Sequence, residues 1–208
     1  MSNDTAPPLD ESTRRYYLDV MGVQCWRLLS YEVESAQQTT SDNVLQYVTD
    51  RGDKKANLLF VLLAPTVSDE ANGRLCSGDE GELLSKMLSA INISIESVYI
   101  TSLLKHAVPA KRPVSPEDIA SGNEYLKQQI QLIQPKLVVV LGESTIRCVL
   151  QKDIPLDDCR VLNAEQKNQI DSVPIFVSYS PGELLQQPEN KRNAWSDLQL
   201  LQKITATV

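Results

Sequence analysis

Residues 135–150 read PKLVVVLGESTIRCVL, and the fold follows from how that stretch is built. Leu137–Leu141 is apolar at every position and rich in valine. A strand with one wet face alternates apolar and polar residues. One that is apolar throughout is covered on both faces, as in a parallel sheet between helices. Gly142 ends the run, and a helix is predicted over Glu143–Leu150. Gly142-Glu143-Ser144 lacks the glycine spacing and lysine of a phosphate loop, so it is a tight strand-to-helix turn.

The same unit recurs on both sides. Residues 57–64 (NLLFVLLA), 98–103 (VYITSL) and 174–179 (PIFVSY) are further buried strands. Residues 81–91 place Leu83, Leu84, Met87, Leu88 and Ile91 on one helical face. Ser115 is an N-cap ahead of Pro116, Glu117 and Asp118; the helix it opens turns Ile119, Leu126, Ile130 and Ile133 inward and stops before Pro135. A last helix over residues 190–204 is expected to bury Trp195, Leu198 and Leu201. Strands separated by helices predict an α/β fold, a three-layer α/β/α sandwich on a central four-stranded parallel sheet. Ligands of such sheets bind outside the carboxyl ends of the strands. A site therefore belongs to the loops after Ala64, Leu103, Leu141 and Tyr179.

Composition narrows the function classes. The 208 residues carry a net charge of −7, which repels phosphate and makes direct DNA contact weak or absent. The small loop of Lys105, His106, Lys111 and Arg112 is better explained as solvated than as a phosphate contact. Four cysteines, none in a C-x-x-C pair, and a single histidine predict no metal and no other cofactor. Free thiols and the lack of a leader pattern at the N-terminus point to the cytoplasm, and no apolar run is long enough for a membrane. Cys76 has no histidine near it in sequence and is expected to be a small packing residue rather than a nucleophile. Residues 1–31 look like a mobile arm, residues 32–56 like a polar connector of low order, and residues 57–208 like the α/β domain.

Five segments in register give the domain a relative. Leu62-Leu63-Ala64-Pro65-Thr66 stands where the uracil-DNA glycosylase superfamily has G-E-x-P-G, and residues 72–78 (NGRLCSG) resemble its G-R-P-F-V-G. Residues 98–102 (VYITS) resemble V-Y-I-T-N, residues 134–142 its P-K-hydrophobic-L-G strand, and residues 179–185 (YSPGELL) its H-P-S-x-L-L segment. The resemblance is greatest to the iron–sulfur branch, family 4.

It also implies what is missing. The catalytic glutamate falls on Leu63, which can neither accept a proton nor stabilise a cation. The base-stacking phenylalanine falls on Cys76, the base-reading asparagine on Ser102, and the charge-stabilising histidine on Ser180. Two cluster cysteines fall on His106 and within residues 120–123 (ASGN). The resemblance thus implies a degenerate former active site at Leu63, Cys76, Ser102 and Ser180, with no excision.

The N-terminal segment carries a second resemblance. Arg14, Arg15, Tyr17, Leu18, Met21, Trp26 and Leu28 lie in RRYYLDVMGVQCWRL, which is similar to the opening of the psi subunits of bacterial DNA polymerase III. By spacing alone these residues fit a first helix packed on the sheet edge as well as an arm that folds on a partner. The resemblance implies the arm, and with it a non-catalytic bacterial replisome subunit. Its partners would be the clamp-loader subunits, the chi subunit and, indirectly, single-stranded-DNA-binding protein. A divergent or inactive glycosylase relative acting in DNA repair is the alternative.

Overall fold

The computed structural model describes residues 48–108, 114–165 and 168–207. Strand β1 (Arg51–Gly52) precedes β2 (Leu58–Leu62), which leads into helices α1 (Val67–Asn72) and α2 (Asp79–Ser89). Strand β3 (Tyr99–Ser102) is followed by α3 (Pro116–Ile133), β4 (Leu137–Leu141), α4 (Glu143–Leu150) and α5 (Leu156–Val161). The chain ends with β5 (Gln169–Ile170), β6 (Val173–Ser178), α6 (Pro181–Gln186) and α7 (Lys191–Thr207).

All four apolar runs become the parallel centre of the sheet, β3-β2-β4-β6. Every residue of β2, β3 and β4 is buried, as their unbroken apolar character requires. Helices flank this sheet: α2 packs with α6, and α3 with α4, where the Asn123 amide donates to the Cys148 carbonyl at 2.9 Å. The α3 start follows its sequence, with Ser115 Oγ accepting from the Asp118 N–H at 3.1 Å.

Three expectations are corrected. The sheet has six strands among the described residues, because β1 pairs antiparallel with β3 and β5 antiparallel with β6. Each edge strand is only two residues long and carries no apolar run, so no hydrophobic period announces it. Residues 48–56, assigned by their polarity to a connector, are part of the domain. Val48 and Ala56 are buried, Thr49 exchanges backbone hydrogen bonds with Gly73 and Leu75, and β1 closes the sheet edge. Finally, Trp195 is 45% exposed rather than buried. The inward stripe of α7 runs Ala194, Asp197, Leu198 and Leu201, and Trp195 sits one residue, about 100°, off it. The arm positions Arg14, Arg15, Tyr17, Leu18, Met21, Trp26 and Leu28, and residues 32–47, lie outside the described residues.

The β1 edge is held by one carboxylate. Asp50 accepts from Lys105 Nζ at 2.8 Å and Thr101 Oγ1 at 2.9 Å on one oxygen, and from Tyr125 at 2.8 Å and Tyr99 at 3.2 Å on the other. Burial, then the Asp50 charge, pushes the Tyr99 phenol up to about 12. Burial and the hydrogen bond to Asp50 raise Tyr125 as well. An unfolded tyrosine ionises near pH ~10. The neutral phenols therefore stabilise the fold fully below about pH 10, and that contribution is lost as pH climbs through the raised folded values. In an alkaline titration, tyrosinate absorbance should show these two rings ionising last, together with loss of the folded circular-dichroism signal. Early ionisation at full ellipticity would contradict the network.

Strand order also fixes where a site can form. From β2 the chain crosses to β3 on one side and then returns past β2 to β4 on the other. The loops leaving β2 and β4 diverge at this switch point, and a crevice opens at the strand carboxyl ends.

Candidate functional site

That crevice is a cleft of about 380 Å³. The β2 loop supplies Leu63, Ala64, Pro65 and Thr66; Gly142 follows β4, with Ser144 and Thr145 in the first turn of α4; the segment after β6 supplies Ser180, Gly182 and Glu183. Glu80 of α2 closes the remaining side. Four helix amino ends, those of α1, α2, α4 and α6, meet here. Such ends carry unpaired N–H groups and partial positive charge, which would suit a phosphate.

The chain fills two of these ends, and part of a third, with its own carboxylates. Asp69, 3% exposed, accepts from the Thr66 N–H at 3.0 Å while Thr66 Oγ1 accepts from its own N–H at 3.1 Å. Its second oxygen takes the Ser77 N–H at 2.7 Å and the Ser77 hydroxyl at 2.9 Å. Glu183 spans two helices. One oxygen accepts from the Ser180 N–H at the start of α6 at 2.9 Å, the other from the Glu143 N–H at the start of α4 at 2.8 Å. An incoming phosphate would have to displace these groups. Glu183→Ala removes both charge-assisted bonds and should destabilise the domain by about 2 to 3 kcal/mol, read as a lower urea midpoint. Glu183→Gln, which keeps one acceptor, should recover part of it.

The four former active-site positions are not brought together. Leu63 and Ser180 line the cleft, as the strand-end rule predicts. Ser180 is engaged as a cap, its hydroxyl accepting from the Glu183 N–H at 3.2 Å. Cys76 is turned into the core at 5% exposure. Its backbone has a positive φ of 56°, and its carbonyl accepts from Arg51 Nη1 at 3.2 Å. Burial, and then the Asp69 charge, pushes its thiol up to about 12, so it is an inert packing group. Ser102 is 1% exposed at the end of β3, and its hydroxyl has no partner among the described residues. Neither side chain lines the cleft. The groups missed by sequence reading are Glu80, Asp69 and Glu183. Each looks like an ordinary acid in the first turn of a helix, and nothing local marks the three as sharing one end of the sheet.

An iron–sulfur cluster, expected of the type-4 branch, does not fit the described residues. Cluster irons are held by cysteine thiolates. His106 is exposed. A Cβ on Gly122 would lie 2.6 Å from the Leu103 carbonyl oxygen, so no cysteine fits there, and the Asn123 amide is bonded to Cys148. No three His, Cys, Asp or Glu side chains group as metal ligands among the described residues. Nor is any described helix long and apolar enough to cross a membrane.

Parallel strands under a switch-point cleft, with helix ends converging on it, define an α/β domain of the class whose ligands bind at the strand carboxyl ends. The family model of the uracil DNA glycosylase superfamily matches residues 49–199, and the chain belongs to that superfamily. It is 29% identical over 157 residues to the type-4 uracil-DNA glycosylase of Archaeoglobus fulgidus, covering 73% of this chain and 78% of the relative. It is also similar to segments of two polymerases. The DNA polymerase of Bacillus phage SP01 is 26% identical over 152 residues, 73% of this chain but 16% of the polymerase. The DNA polymerase III subunit alpha of Yersinia pestis is 21% identical over 135 residues, 65% of this chain and 11% of the subunit.

Proposed function

We propose that the chain is an inactive member of the uracil-DNA glycosylase superfamily that works as a protein-docking domain in DNA repair and replication. The observation that carries this reading is the cleft itself. Where the resemblance puts a catalytic carboxylate it has Leu63, where it puts a histidine it has Ser180, and its own Glu183 holds the helix N–H groups that would meet a phosphate. A group that positions water or stabilises a developing charge is worth several kcal/mol in the transition state. Neither leucine nor serine replaces it.

A narrower reading places the chain in the DNA polymerase III holoenzyme as a non-catalytic accessory subunit, joining the clamp loader to chi and so to single-stranded-DNA-binding protein. Support comes from the psi-like residues 14–28 and from the similarity to polymerase segments. Deleting residues 1–30 should abolish co-purification with clamp-loader subunits while the remaining chain still unfolds cooperatively. Undiminished co-purification would remove the arm from the account.

A further inference from the structure

The capping scheme leaves one carboxylate of the cleft over. Every oxygen of Asp69 and Glu183 accepts at least one hydrogen bond, whereas Glu80 makes no hydrogen bond or ion pair with any described residue. It lies half-buried at the cleft wall beside Gly182, where a Cβ would come within 2.6 Å of Glu80 Oε1. The carboxylate therefore rests against bare backbone. Burial, then the charge of Asp69, holds its carboxyl above the usual range, the mark of an anion short of counter-charge. Among the described residues the lining contains no lysine, arginine or histidine, and it includes the apolar run Leu62, Leu63, Ala64 and Pro65.

We propose that this cleft is the seat of a lysine or arginine side chain from a partner protein, with its aliphatic stem on Leu63 and Pro65 and its charged head on Glu80. The inference rests on the docking reading above and names the chemistry of the partner. Long basic side chains are suited to such a surface because the stem covers apolar area while the head stays polar. A charge-assisted bond to a partly desolvated carboxylate is also stronger than a neutral one. The other occupants fit less well. A nucleic-acid backbone would bring phosphate beside Glu80, and a neutral base would bury that carboxylate without its counter-charge.

The test is a titration of the full chain with N-acetyl-arginine amide, followed through backbone amide shifts. Saturable shifts at Leu63, Gly142 and Gly182 are expected, with affinity about tenfold weaker in Glu80→Gln. Glu80 has no bond to lose among the described residues and its charge is disfavoured by burial, so that variant should not lower the parent's urea midpoint. Absence of saturation, or equal binding in Glu80→Gln, would overturn the proposal. So would binding that appears only after Lys111 and Arg112 are both replaced by alanine, since the cation would then be the chain's own. Release of uracil from DNA by the same protein would instead sink the docking reading on which this rests.

Discussion

Replacing Arg160 by alanine should lower the stability of the domain by about 3 to 5 kcal/mol, the cost of leaving a buried charge without its partner. Arg160 reaches from α5 to α7 and pairs bidentately with Asp197, Nε to one oxygen and Nη2 to the other, both at 2.8 Å. Asp197 also accepts from the Ser178 hydroxyl at the end of β6 at 2.8 Å, so one carboxylate ties two helices to a core strand. Arg160 Nη1 bonds Asp157 at 2.8 Å, and the same Asp157 oxygen accepts from Tyr179 at 3.0 Å. Burial pushes the Asp197 carboxyl up, against the pull of the Arg160 guanidinium and the Ser178 hydroxyl. Without Arg160, Asp197, at 6% exposure, keeps only the Ser178 hydroxyl as a side-chain donor among the described residues. Arg160→Lys should recover little, because one ammonium cannot make the planar two-point contact. The double change Arg160→Met with Asp197→Leu should recover most of the loss, which chemical denaturation of the three variants would measure. A single Arg160→Ala variant within about 1 kcal/mol of the parent would show the pair to be loosely solvated.

Asp50→Ala should cost about 3 kcal/mol or more for a related reason. It strands Lys105, whose side chain is only 24% exposed and stacks 4.0 Å from the Tyr125 ring centre; it also leaves the Tyr125 and Thr101 hydroxyls without their acceptor and Tyr99 with Gln129 alone. The loss should be local first. Hydrogen exchange is expected to rise at β1 and the adjoining edge of β3 before the β2–β4–β6 centre opens. Uniform protection across the sheet at unchanged stability would refute the role given to Asp50.

The contrast between these clusters and the strands explains what the sequence discloses. Leu137–Leu141 declares a buried strand because five consecutive apolar residues have no other economical fate in a chain of this charge. Ser115, Pro116 and Gly142 declare helix starts because their local conformational preferences are strong. Arg51–Gly52 and Gln169–Ile170 declare nothing, since a two-residue edge is set by its neighbour and not by its own pattern. Trp195 is expected inward with Leu198 and Leu201, yet a residue one step off the stripe is only half covered.

The site divides in the same way. Leu63 and Ser180 line the cleft because they follow the ends of β2 and β6. Cys76 and Ser102 are buried instead, because the direction in which a side chain leaves the backbone is a tertiary fact. The partnerships of Glu183 with α4 and of Asp197 with α5 join residues 40 and 37 positions apart, beyond the reach of any local rule.

The central claim is that a glycosylase scaffold here has lost base excision. Its most direct test is incubation of the purified full-length chain with uracil-containing single- and double-stranded DNA, scored for abasic sites by alkaline cleavage. No abasic sites above a buffer control are expected, at any protein-to-DNA ratio. Abasic sites that accumulate in proportion to protein and disappear in the Glu80→Gln variant would contradict it, and would make the cleft an active one.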